Sequence, residues 1–123
     1  MNIAYDKATD SLYIHLGDCA SVASDEVTDG VVLDFDASGT LVGLDVQQAG
    51  QRVDVNNLAV QSNYAEQDDI LHLRMSDKPI TREVSRDWNT HIGYAADGTI
   101  VEIVLLDAKR MHRSRMVSGS HHA

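Results

Sequence analysis

Basic residues are scarce in this chain. Lys and Arg number 10 against 19 Asp and Glu, giving a formal charge of −9 and an isoelectric point near 4.8. Nucleic-acid binding driven by counterion release starts at a disadvantage on such a chain. Cysteine occurs once, at Cys19, so no internal disulfide can form and a reducing, cytoplasmic setting is expected. No stretch approaches the ~18 apolar residues of a membrane span, and the opening Met1-Asn2-Ile3-Ala4-Tyr5-Asp6 has neither the basic segment nor the apolar run of a signal peptide. Aromatic residues make up only 5% of the chain, and the single tryptophan, Trp88, stands out for that reason.

What is present suits a small globular protein. Hydrophobic residues are 43% and charged residues 24% of 123, close to ordinary usage, and the length allows one small domain or two very small ones. The charge is unevenly spread. Every acid precedes residue 108, so six basic against nineteen acidic residues give that part −13, while Lys109, Arg110, Arg113 and Arg115 form a +4 end. The segment 111–123 is expected to be a basic, solvated tail.

The sequence repeats itself at an offset of 59. Tyr5, Asp10, Leu12, Asp18, Gly39, Thr40, Val42 and Ala49 recur as Tyr64, Asp69, Leu71, Asp77, Gly98, Thr99, Val101 and Ala108. Conservative pairs keep the register: Ile14 with Leu73, Leu33 with Ile92, Phe35 with Tyr94, Leu44 with Ile103. Residues 1–52 and 62–110 are therefore two copies of one supersecondary unit joined by a linker, 53–61.

Each copy reads as strands. Residues 12–16 and 71–75 alternate apolar and polar side chains, the signature of a half-buried strand. The β-branched runs 31–35 and 41–46 flank Asp36-Ala37-Ser38-Gly39-Thr40, and 90–94 and 100–105 flank Ala95-Ala96-Asp97-Gly98-Thr99; a glycine in such a turn signals a hairpin. Residues 2–5, 26–28 and 82–84 are weaker strands, and the linker is either a helical turn or extended. The fold predicted is mainly β, two tandem antiparallel repeats packed with pseudo-twofold symmetry. The shared core predicted is Leu12, Ile14, Leu16, Leu33, Phe35 and Leu44 with Leu71, Leu73, Met75, Ile92, Tyr94 and Ile103.

Tyr5-Asp6, the run from Asp10 to Leu16, Glu26-Val27, the run from Gly30 to Asp36, Gly39 and the run from Leu41 to Val46 resemble the YuzE-like domain-of-unknown-function family of small bacterial proteins. The second copy keeps Tyr64, Asp69, Leu71, Gly98 and Ile100-Val101-Glu102-Ile103 but has Gly93 and Ala95 where the first has Asp34 and Asp36. The resemblance implies a tandem duplication of a unit that usually occurs singly. It supplies no activity. Some members are encoded beside small toxin-like proteins, which implies an antitoxin-like role.

Several residues carry chemistry. Asp34-Phe35-Asp36-Ala37-Ser38-Gly39 with Asp45 fits most of a calcium-loop pattern, but its flanks are strands, so it reads as an acidic hairpin turn. His15, His72 and His91 have no metal-ligand spacing, and no metal or other cofactor is expected. The second copy has acquired Trp88, Asn89, His91 and Tyr94 where the first has Asp29, Gly30, Val32 and Phe35. A small-molecule site is therefore placed at Trp88, His91 and Tyr94, with His91 or His72 as acid or base and Asp34 or Asp45 as orienting carboxylate.

No complete catalytic constellation, phosphate loop or nucleotide fingerprint appears. The function expected is a small cytoplasmic protein-interaction module, in its sharpest form an acidic inhibitor of a basic protein, self-associating as a homodimer through open sheet edges. The alternative is a small-molecule binder or cofactor-independent enzyme using acid-base chemistry on a small hydrophobic substrate, as in a biosynthetic pathway.

Overall fold

The computed structural model describes residues 2–86 and 89–108. Trp88 and the tail 111–123 lie outside the described residues. The first copy forms β1 (Asn2–Asp6), β2 (Ser11–His15), β3 (Ala23–Thr28), β4 (Val31–Phe35) and β5 (Leu41–Gln47). A single helical turn, α1 (Ala49–Arg52), ends it, and the linker holds one 3-10 turn, Val55–Asn57, in otherwise extended chain. The second copy forms β6 (Gln61–Ala65), β7 (Ile70–Arg74), β8 (Arg82–Ser85), β9 (Thr90–Tyr94) and β10 (Ile100–Leu106).

The two sheets are antiparallel, in the orders β1-β2-β5-β4-β3 and β6-β7-β10-β9-β8. The offset of 59 holds at the level of pairing: Tyr5 lies opposite Leu12 as Tyr64 lies opposite Leu71, and Leu33 opposite Leu44 as Ile92 lies opposite Ile103. Even the irregularity is copied. Between β4 and β5 the register jumps across Val42, and between β9 and β10 across Val101. These are β-bulges, each adding one unpaired residue that bends its strand. The freed carbonyl is used, accepting from Leu16 N–H at 2.8 Å and Gly17 N–H at 3.1 Å in one copy and from Met75 N–H at 2.6 Å in the other. The hairpin turns match too, with Gly39 at φ 83° and Gly98 at φ 88° in the left-handed region that glycine enters without cost.

Alternation along the strands sends one face of each sheet inward. Leu12, Ile14, Leu33, Phe35, Leu44 and Val46 of the first sheet and Leu71, Leu73, Ile92, Ile103 and Leu105 of the second belong to one continuous buried cluster, with Met75. Leu16 and Tyr94, expected inside, sit half-buried against its margin. Two cavities show how the copies are related. At one end Thr40, Leu41 and Val42 of the first copy face Ser62, Tyr64, Leu71 and Ala108 of the second. At the other, Gly98 and Ile100 of the second face Gln51 and Arg52 of the first. Each copy thus turns its hairpin end toward the opposite end of its twin, the reciprocity of a twofold axis.

Candidate functional site

Residues identical in the two copies hold the fold. Tyr5 donates its hydroxyl hydrogen to Asp10 at 2.6 Å, and Tyr64 does the same to Asp69 at 2.6 Å. Asp10 and Asp69 are left-handed, at φ 53° and 55°, and their carbonyls accept from Ala49 N–H and Ala108 N–H at 2.8 and 3.0 Å. The Tyr-Asp pair therefore locks the first hairpin of each copy onto the end of its central strand. Chemistry is better sought where the copies differ.

On the outer face of the second sheet, His72 of β7 and His91 of β9 lie on either side of Val104 of β10, paired with it from opposite flanks. Together with Glu83, Ile92, Gly93, Glu102 and Val104 they line a cavity of about 270 Å³. His72 Nδ1 stands 3.7 Å from Glu102 Oε1, and His91 Nδ1 shares a 2.9 Å hydrogen bond with Ser85 Oγ. The corresponding residues of the first copy are Tyr13, Val32, Gly43 and Ser24 for His72, His91, Glu102 and Glu83. All four ionisable groups belong to the second copy alone. The face offers two imidazoles and two carboxylates for proton transfer. Among the described residues no three histidine, cysteine or acidic side chains are assembled to hold a metal ion.

The outer face of the first sheet carries carboxylates instead. Asp34 is 8% exposed and accepts from Ser24 Oγ at 2.7 Å. Asp45, paired with Tyr13 on one side and Val32 on the other, has a buried Oδ1 without a hydrogen-bond partner among the described residues. Burial, and then the neighbouring charge of Asp34, push its carboxyl above the ordinary range. The same two acids, after burial itself, raise the Tyr13 phenol. Gly43 makes room for this arrangement, since a side-chain carbon there would meet the Tyr13 hydroxyl at 2.7 Å. The His15 ring packs edge-on against Tyr13 at 4.2 Å.

A cavity of about 390 Å³ lies between the copies and is lined by Leu16, Leu41, Val42, Leu71 and Ala108, with Cys19, Asp36 and Tyr64 among its polar members. Asp36 heads the first hairpin turn. Its Oδ1 accepts from Ser38 N–H at 3.0 Å, Ser38 Oγ at 2.8 Å and Thr40 N–H at 3.0 Å, bonds that hold the carboxyl below its usual range. The oxygens that matched the calcium pattern are thus divided, Asp36 serving its own turn and Asp34 serving Ser24 on the sheet's outer face.

Of the candidate site residues, the structure brings His72 and His91 together. It separates Tyr94 from His91, because residues three apart in a strand project to opposite faces; Tyr94 packs against the core margin, with the Arg82 guanidinium 4.5 Å from its ring centre. Asp34 and Asp45 do not accompany the histidines, since they lie on the other sheet. The carboxylates beside the histidines are Glu83 and Glu102, which sequence reasoning passed over. The signal was available: reading the outward positions of both copies in the register of 59 isolates them as new acids. Asn89 is fully buried and its carbonyl accepts from Leu106 N–H at 2.8 Å, a packing role.

Neither the comparison with curated proteins nor that with solved structures returns a match. A family model matches twice, over residues 2–49 and 62–109, the two segments that fold into the two sheets. The chain therefore belongs to the family described as protein of unknown function (DUF2283), in two tandem copies.

Proposed function

We propose that the protein is an acidic interaction module whose partner presents a cationic surface, acting in the cytoplasm, with an antitoxin-like inhibitor as the sharpest form of that role. The observation that supports this reading is how few of the basic side chains among the described residues are paired with acids. Among the described residues, only Arg52 and Lys78 of the six basic side chains before residue 108 form ion pairs, with Asp29 and with Asp54 and Asp97. Arg74 is turned to the Ser76 carbonyl and Arg82 to the Tyr94 ring. Exposed acids such as Asp6, Asp18, Glu66, Asp68 and Asp77 are left facing water, where their field steers a basic partner and weakens with salt. The module self-associates as a homodimer along the open edge of the first sheet.

The test is capture of partners from the native host across a salt series, using the full chain and a Glu66→Lys, Asp68→Lys variant. A basic protein retained at low salt, released as salt rises and lost with the variant supports the reading. Nothing retained at low salt, with a metabolite co-purifying in native mass spectrometry, transfers support to a second reading. That reading is a cofactor-independent acid-base site for a small substrate at His72 and His91. It is favoured by one observation, that both histidines line the same cavity as Glu83 and Glu102.

A further inference from the structure

We propose that the cavity between the two copies binds a small hydrophobic amine, with its ammonium group against Asp36 and its apolar body against Leu41, Val42 and Leu71. This inference is independent of the acidic surface and of the histidine-bearing face.

The first argument is shape and lining. At about 390 Å³ the cavity has the size of a small-ligand site, and its walls are largely aliphatic. Its charged members are Asp18 and Asp36, and no lysine or arginine lines it among the described residues. Anions are disfavoured by those two charges. A hydrated metal ion finds one buried carboxylate amid hydrocarbon, far from the ligand number it needs.

The second argument is a buried charge without a counter-charge among the described residues. Asp36 is only 9% exposed. The three hydrogen bonds from Ser38 and Thr40 all fall on Oδ1, and together with the nearby Cys19 side chain they lower the carboxyl pKa. These contacts outweigh burial and keep Asp36 ionised, yet they bring it no positive charge.

The third argument comes from the duplication itself, which provides an internal comparison. In the second copy Ala95 stands at the position of Asp36, and the turn carries its carboxylate two residues on, at Asp97, the counterpart of Ser38; Lys78 binds it at 2.6 Å while also holding Asp54 of the linker at 3.1 Å. The residue corresponding to Lys78 in the first copy is Cys19. One copy supplies an ammonium group to its hairpin turn from within, whereas the other has a thiol at that place and an open cavity beside it. A free amine entering the cavity restores the missing half of the pair.

The test uses the full chain and 2-phenylethylamine as probe, with 2-phenylethanol and 3-phenylpropionate as neutral and anionic analogues. Methyl chemical shifts of Leu41, Val42 and Leu71 report occupancy, and calorimetry gives affinity. The amine is expected to bind at least about tenfold more tightly than the alcohol, the worth of a charge-assisted hydrogen bond, and the carboxylate not at all. Asp36→Asn, which keeps an oxygen for Ser38 and Thr40, is expected to erase the preference for amine over alcohol. Cys19→Lys is expected to abolish amine binding and raise the melting temperature by supplying the ammonium internally. The proposal is overturned if the amine shifts none of these methyls, if amine and alcohol bind alike, or if Cys19→Lys binds amine as the parent does. It is also overturned if binding appears only in a Lys109→Gln, Arg110→Gln variant, because the chain's own cations would then be the occupant.

Discussion

At the scale of single residues, Asp45 of the first copy and the Lys78 network of the second respond to pH in opposite senses. Asp45 has a raised carboxyl pKa because it is partly buried beside Asp34, so the folded chain holds that proton more tightly than the unfolded chain. Its contribution to stability is present in acid and is lost as pH rises above about 4 through the folded value. Asp45→Asn is therefore expected to raise the melting temperature at neutral pH, with the gain vanishing on acidification; thermal melts across pH 3 to 7 check this. Lys78 behaves in the reverse way. Its hydrogen bonds lower Asp97 and Asp54 and raise its own pKa, so the stabilisation is full above about 4, where the unfolded carboxylates ionise, and is lost as pH falls from there through the lower values of the folded ones. Lys78→Met should lower the melting temperature at pH 7, by a margin that starts to shrink only as pH falls below about 4 and that high salt reduces.

At the scale of elements, legibility followed periodicity. The central strands β2, β4, β5, β7, β9 and β10 alternate or run apolar, and their place in the sequence fell within about a residue of the structure. The edge strands were harder to see. Ala23–Thr28 reads ASDEVT and Gln61–Ala65 reads QSNYA; neither carries an apolar rhythm, because an edge strand is ordered by its one neighbour more than by burial. The helical turn Ala49–Arg52 had no signal of its own, being set by the left-handed Gln48 and the Asp10 carbonyl. The histidine face was half legible, since alternation puts His72 and His91 outward, but which sheet each acid joins depends on strand order. The inter-copy cavity was invisible, because it is made by packing between copies.

Strand β1 carries its own prediction. It is exposed along its whole length, and Ile3 and Tyr5, on the side of Leu12 and Ile14, are 41% and 37% exposed. An edge of this kind recruits another strand. Sedimentation at micromolar concentration is expected to show a dimer for the parent chain and a monomer for Ile3→Lys; a parent sedimenting as 13.5 kDa would remove the dimer from the proposal.

At the scale of the whole molecule, the two sheets stand or fall together. Leu44 and Ile103 belong to the same core cluster, so neither copy has a complete interior without the other. A fragment of residues 1–58, about 60 residues or fewer being marginal for an independent core, is expected to be unfolded at low concentration or to pair with itself. A cooperative monomeric melt of that fragment would contradict the shared core. Within the full chain, Leu44→Ala should cost about 2–5 kcal/mol and should reduce protection from hydrogen exchange in both sheets, not in the first alone.

The linker between the copies is short and is fastened to the second one, through Asp54 to Lys78 and through Ala59 N–H to the Met75 carbonyl at 3.1 Å. Its tethering holds each copy at a high effective concentration of the other. A symmetric pair of separate chains must accept every substitution twice, once on each side of its axis. Covalent connection removes that obligation, so His72, His91, Glu83 and Glu102 could accumulate on one face while Asp34 and Asp45 stayed on the other, and Cys19 could part company with Lys78. Cutting the chain within 53–60 would leave the contacts intact but make assembly second order, turning a melting temperature indifferent to dilution into one that falls with it.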